Sequence, residues 1–245
     1  MNLVRWQSEN FWTARGYVFD IGITTNNALN ELRKELTHPK LTLENRKYAG
    51  TEKDNGNGSL MRIYPLLPEF IKTNNENRFE KVWNVSALTH KHIRAAIACY
   101  IYLVFCELIF EGKDLNQAYS ETRILVTTFF KENNIAEYEV QKFDRIIKND
   151  IRSLKRNDIL SGGYVIETIE AAFWCLLTTE SFENSVLLAV NLGHDTDTTG
   201  AVTGAVAGLY YGLKNIPEFW VVQLAKMEEI FDLGKRLTEA YSNLG

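Results

Sequence analysis

Residues 93–110 read Ile93-Arg94-Ala95-Ala96-Ile97-Ala98-Cys99-Tyr100-Ile101-Tyr102-Leu103-Val104-Phe105-Cys106-Glu107-Leu108-Ile109-Phe110. Wound as an α-helix, this run puts apolar side chains on every face, so other elements must enclose it. Its most apolar part, Ile97 to Phe110, is shorter than the ~20 residues a membrane span needs, and Glu107 interrupts it. The run is therefore expected to be a buried central helix, and the rest of the chain should be the material that covers it.

On both sides of this run helical periodicity dominates over strict alternation. Ala28, Leu29, Leu32 and Leu36 mark one face of a helix over Thr24–Leu36. Leu115, Ala118, Ile124, Leu125 and Phe129 mark another, opening after the N-cap candidate Asp114. Tyr138–Leu154 reads as a polar surface helix, Tyr164–Leu177 as an apolar one, and Asn74–Asn77 as an exposed loop. From Thr198 to Leu213, Gly200, Gly204, Gly208 and Gly212 recur at four-residue spacing on one helix face. Each costs ~1 kcal/mol of helix propensity relative to alanine, so close packing against a neighbouring helix is the expected compensation. With no repeat, linker or low-complexity stretch, residues 1–245 read as a single all-α domain.

Composition narrows the function. Hydrophobic residues are 45% of the chain, enough for a core without disulfides. The net charge of -4 lacks the basic excess expected of a protein that binds nucleic-acid phosphates. The three cysteines, Cys99, Cys106 and Cys175, lie in apolar helical runs, which suits reduced, buried thiols and a cytoplasmic protein. The N-terminus is polar and charged from Met1 to Phe11, unlike a signal peptide.

Four short segments carry chemistry. Gly193-His194-Asp195-Thr196-Asp197-Thr198-Thr199-Gly200 places two carboxylates and several hydroxyls before an apolar helix. Hard oxygen donors suit Mg²⁺, Mn²⁺ or Ca²⁺; Asp and Thr also cap helices, and both readings stand on this segment alone. Asn55-Gly56-Asn57-Gly58-Ser59-Leu60-Met61-Arg62 can turn backbone N–H groups toward an anion, with Arg62 adding charge, although Asn-Gly is also an ordinary turn pair. Ser161-Gly162-Gly163-Tyr164-Val165 offers a free backbone and an aromatic ring to stack on a base or ribose, or simply a helix start. Leu88-Thr89-His90 ends in a histidine at a helix junction, a common structural position; His38 and His92 have no motif around them.

Taken in this order, Asn-Gly-Asn-Gly-Ser-Leu-Met-Arg, Ser86 to His90, Gly163-Tyr164-Val165 and Asp-Thr-Asp-Thr-x-Gly-Ala resemble the ADP-ribosylglycohydrolase family, which includes the dinitrogenase reductase activating glycohydrolases. The resemblance covers nearly the whole chain. It implies a compact all-helical fold with a two-metal centre, Mg²⁺ or Mn²⁺, at an ADP-ribose cleft. It implies Asp195, Asp197 and Thr198 as metal ligands, Asp197 as the best catalytic candidate, and Asn57, Gly58 and Ser59 along the diphosphate and ribose. It implies His90, Gly163 and Tyr164 as further ADP-ribose contacts. The partner would be an ADP-ribosylated protein or ADP-ribose-containing small molecule, with neither nucleic acid nor membrane involved.

One departure tempers this. The family carries an N-terminal Gly-Asp-Ala-Leu-Gly-like run and then Thr-Asp-Asp, which supply further metal ligands and an acidic residue. This sequence has no Asp-Asp pair. Asn2-Leu3-Val4-Arg5-Trp6 is similar to the region just downstream of Thr-Asp-Asp, and Phe19 to Thr25 to the stretch after that. The resemblance thus implies a relative without its first quarter, holding one metal or none: a hydrolase needing a partner segment, a weak or inactive ADP-ribose binder, or a structural descendant.

Overall fold

The computed structural model describes residues 2–37 and 43–242, and their regular elements are helices; His38 lies outside the described residues. In chain order the α-helices are α1 (Asn2–Glu9), α2 (Ile23–Thr37), α3 (Leu67–Lys72), α4 (Asn75–Ser86), α5 (Ile93–Phe110), α6 (Leu115–Glu132), α7 (Glu137–Val140), α8 (Asp144–Ile147), α9 (Val165–Leu177), α10 (Phe182–Val190), α11 (Thr196–Tyr211), α12 (Glu218–Val222) and α13 (Met227–Ala240). Short 3₁₀ turns join several of them. Among the described residues the only β-pairing is an isolated antiparallel bridge between Gly56 and Tyr164.

Helix α5 is the axis. It packs against α3, α4, α6, α9 and α11, and nearly all its side chains are buried. It is the one described helix long and apolar enough to cross a membrane, and 83% of it is buried inside the protein. The two charges in it are both paired: Glu107 accepts from Arg78 at 2.8 Å, and Arg94 is held by two glutamates. All three cysteines are free and buried. Burial raises the Cys99 thiol to about 11 and Cys175 to about 12, which removes them as nucleophiles.

The glycine stripe packs as its spacing predicts. A Cβ on Gly200, Gly204 or Gly208 would meet Val190, Val186 or Phe182 of α10 at 3.1, 3.6 and 3.8 Å. Gly212 is not part of that face; it ends α11 at φ 78°, a left-handed conformation open to glycine.

Three elements differ from the sequence expectation. Asn74–Asn77 is no loop: Asn74 occupies the N-cap position of α4, whose Phe79, Val82 and Ser86 are buried. Its polar residues are a solvent-side first turn. On α6 Asp114 does cap, accepting from Asn116 and Gln117 N–H. Its buried stripe, however, runs through Ala118, Thr122 and Val126, leaving Ile124 66% exposed. Residues 138–154 do not form one surface helix. They break into α7, α8 and 3₁₀ turns with Phe143, Ile146, Ile147 and Ile151 in the core. The Tyr119 hydroxyl causes part of the break by donating to Ile146 O at 2.8 Å and accepting from Ile151 N at 3.1 Å. A side chain distant in sequence thus captures backbone groups that a continuous helix would use.

The glycine contacts separate two substitutions on one face. Gly204→Ala places its methyl at ordinary contact distance and gains helix propensity, so it should stabilise by up to about 1 kcal/mol. Gly200→Val overfills a contact that is already tight and should destabilise by about 1–3 kcal/mol. Urea unfolding checks both; equal effects would mean that the stripe does not pack on α10 as described.

Candidate functional site

The loop 55–59 is shaped from below by His90. The His90 ring is 3% exposed, and its Nδ1 lies 2.8 Å from Thr89 Oγ1. A Cβ on Gly58 would stand 2.6 Å from the ring's Cε1, and one on Gly56 3.1 Å from Nε2. The glycines therefore let the loop lie on the imidazole, and His90 supports the loop from the interior. Burial, reinforced by the Arg62 charge, pushes the His90 pKa down to about 4, so the ring is neutral at pH 7. Arg62 does not point outward to add charge for an anion. It turns back and donates to the carbonyls of Gly58 at 2.6 Å and Val85 at 3.2 Å. Ser59 is fully buried, with its hydroxyl 3.7 Å from the Cys99 thiol.

The second segment, 161–165, pairs with this loop. Asn57 N–H donates to Gly163 O and Val165 N–H to Asn55 O, each at 3.0 Å, which forms the isolated bridge. Glu167, in the first turn of α9, accepts from Gly162 N–H at 3.0 Å. A side chain at Gly162 would collide with that carboxylate at 2.5 Å. Gly163 is exposed and Tyr164 half-buried beside it.

The third segment enters through a left-handed turn at Gly193 and His194 (φ 91° and 55°). Ser161 Oγ donates to Gly193 O, and Asp195 N–H donates to Ser161 O, both at 3.0 Å. The Asn57 amide then joins all three segments: its Nδ2 donates to Asp195 Oδ2 at 2.7 Å and to Thr168 Oγ1 at 2.9 Å. Asp195 stands at the N-cap position of α11 yet makes no side-chain cap bond. Capping alone therefore does not account for it. Burial opposes its charge, but the Asn57 amide donor, with Asp197 and Thr198 beside it, outweighs that and holds its carboxyl below the usual range. Asp197 is exposed, one oxygen accepting from Thr198 N–H at 2.9 Å, and Thr198 is buried with its hydroxyl 3.9 Å from Met61 Sδ. Two carboxylates and a hydroxyl thus share the positive end of a helix. Asp197 can offer an oxygen outward, and the set is chemically suited to one hard divalent cation.

Sequence reasoning missed a buried charge cluster behind Tyr164. Arg94 donates to both oxygens of Glu139 at 2.7 and 2.8 Å, to Glu52 at 2.7 and 3.0 Å, and to the Tyr164 hydroxyl at 3.1 Å. The signal was a lone arginine opening an otherwise apolar helix. Glu52, His92 and Glu139 also lie within 4.8 Å of one another, a spacing open to a metal. The Arg94 guanidinium already bridges both carboxylates, so a cation there would have to displace it, and the donors do not fit that use.

Comparisons with known proteins give the family and the fold. A family model described as ADP-ribosylglycohydrolase matches residues 2–244. The chain is 30% identical over 236 residues to an ADP-ribosylarginine hydrolase, Tri1, of Serratia proteamaculans, covering 96% of this chain and 58% of that protein. It is 26% identical over 176 residues to the ADP-ribosyl-[dinitrogen reductase] glycohydrolase of Rhodospirillum rubrum, covering 71% of this chain and 52% of that protein. The chain thus spans little more than half the length of these relatives. A solved structure described as an ADP-ribosylglycohydrolase-related protein complex superposes with a TM-score of 0.68 at 27% identity, over 98% of this chain and 71% of that one.

The depressed His90 pKa makes a pH prediction. The unfolded chain protonates this histidine near 6.5 and the folded chain near 4, so its contribution is complete above 6.5 and lost as pH falls toward 4. The loss is on the order of 3 kcal/mol. Glu170 acts oppositely in an overlapping window, because burial raises its carboxyl to about 7 despite Arg145. The measurement is therefore the difference between wild type and His90→Gln: wild type should lose more stability on acidification. Parallel pH profiles would contradict the burial argument.

Proposed function

Because the chain belongs to the ADP-ribosylglycohydrolase family, we propose that it acts on ADP-ribosyl groups attached to protein side chains, hydrolysing the bond at the anomeric carbon. Water adds to that carbon, and the side chain leaves with the proton. The observation that carries this is the Asn57 amide, which holds the loop, the Tyr164 segment and the Asp195 carboxylate in one place. Arginine is the proposed linkage, since the Serratia relative is named for it.

In this reading Asn57, Gly58 and Ser59 shape the diphosphate and ribose side, and Gly163 and Tyr164 flank the ligand. His90 keeps the loop's shape from beneath. Asp195, Asp197 and Thr198 hold Mg²⁺ or Mn²⁺. Such a cation, when bound, supplies polarisation of the ribose hydroxyls and of the attacking water. The neutral His90 and the inward-turned Arg62 leave the negative carboxylates as the main charge at this face, which favours a cation there before a polyanionic ligand arrives.

The donor count sets a second expectation. Two carboxylates and one hydroxyl are too few for a pair of near-octahedral cations, so these 245 residues alone should turn over slowly while binding of ADP-ribose persists. At ~100 times Kd, ADP-ribose should stabilise the fold by ~2.7 kcal/mol, a melting shift of roughly 5–10 °C. Release of ADP-ribose from ADP-ribosylarginine should be slow, metal-dependent and abolished by Asp197→Asn, an exposed substitution that spares the fold. The absence of both a shift at millimolar ADP-ribose and any release would overturn the reading. Rapid turnover by the 245-residue chain would overturn the donor-count argument alone.

A further inference from the structure

Tyr164 and the 55–59 loop stand at the face proposed for ADP-ribose, and besides the backbone bonds that join them, side chains tie both to the central helix. Tyr164 is half-buried at the start of α9, and Glu52, three residues before Asn55, has a side chain 72% exposed. Both end on one group, the Arg94 guanidinium, which is 5% exposed and rooted in the first turn of the central helix α5. On its far side the same guanidinium makes paired bonds to Glu139 of α7, whose side chain is 2% exposed. His92 adds a further group to this cluster, its Nε2 3.9 Å from Glu139 and 4.0 Å from Glu52. Arg94 thus has one arm fixed in the core and two arms reaching the loop and the tyrosine.

Stability is a weak reason for such a cluster. Desolvating a guanidinium and a carboxylate offsets much of their attraction, and apolar side chains of similar size often serve as well. What apolar groups cannot supply is direction. The planar guanidinium fixes bond angles to two carboxylates and a phenol at once. Burial opposes its charge, yet the bonds to Glu139 and Glu52 outweigh that and keep the group protonated.

We infer that Arg94 is a positioning residue for the ligand face, latching the 52–59 loop and the Tyr164 ring to the central helix in the register that the Gly56–Tyr164 bridge records. This rests on the proposed reading of that face as an ADP-ribose site. Arg94 acts through Tyr164 and the loop and touches no ligand itself.

The test uses the full 245-residue chain and two readouts. Hydrogen exchange of segments 55–59 and 163–166 reports the backbone bonds of Asn57 and Val165 with no ligand present. Calorimetry with ADP-ribose reports the face. Glu52→Gln cuts the loop arm at an exposed carboxylate, where folding is not at risk. The paired change Arg94→Gln with Glu139→Gln removes the buried ion pair without leaving a lone buried charge, since the Glu52 carboxylate it also frees is exposed. Both proteins should exchange roughly 5- to 20-fold faster in those two segments, with α5 and α11 unchanged, and should bind ADP-ribose more weakly by a similar factor. Tyr164→Phe, which removes the hydroxyl acceptor, should weaken binding in wild type and add little on the paired background. Unchanged exchange in both proteins overturns the latch. Exchange that rises across the whole chain shows a merely structural role and overturns it too. Faster local exchange with unaltered ADP-ribose affinity overturns the positioning role. If wild type itself fails to bind ADP-ribose, the reading of the site falls, and the exchange arm alone decides the latch.

Discussion

An eighteen-residue helix with no polar face cannot be stable unless it is enclosed, and α5 imposes that condition on the rest of the chain. Helices α3, α4, α6, α9 and α11 surround it, each presenting an apolar stripe inward. The condition also constrains the two charges α5 carries. A charge that leaves water must be paired, and Arg94 and Glu107 meet that demand at opposite ends of the helix. The pairing of Arg94 reaches the candidate site; the pairing of Glu107 with Arg78 only ties α4 to the axis.

The candidate site follows from how segments far apart in sequence settle on this core. Asn57 lies 138 residues from Asp195 and 111 from Thr168, and one amide group bonds both. The loop's glycines answer to the His90 ring beneath them, and the Gly162 backbone to Glu167. The face is therefore specified by backbone contacts that only glycine permits, with few side chains pointing out. An apolar groove of about 400 Å³, lined by Tyr64, Leu67, Ile71, Leu209, Leu237 and Tyr241, lies toward the other end of α11. Leu209 is fourteen residues from Asp195, roughly 20 Å along the helix, and the groove brings no cluster of charged groups together.

Much of this was legible in the sequence. Periodicity located α2, α5, α6, α9 and α11 because an apolar stripe is a local property, visible wherever the helix buries one face or all of them. The glycine spacing announced close helix packing because no other arrangement offsets its cost in propensity. The order of four short motifs identified the family, which the match over residues 2–244 bears out.

Tertiary structure decided which polar groups turn inward. Arg62 could have faced an anion and faces carbonyls; His90 could have stood beside a ligand and lies under a loop; Arg94 opens an apolar helix and bonds Glu139, Glu52 and Tyr164. The break of 138–154 belongs with these, since the Tyr119 hydroxyl that captures its backbone lies outside the segment. The physical reason is the same in each case. Burial of apolar surface adds up along a segment and leaves a pattern in the sequence, whereas a hydrogen bond needs one partner at one angle, and here that partner comes from elsewhere in the chain.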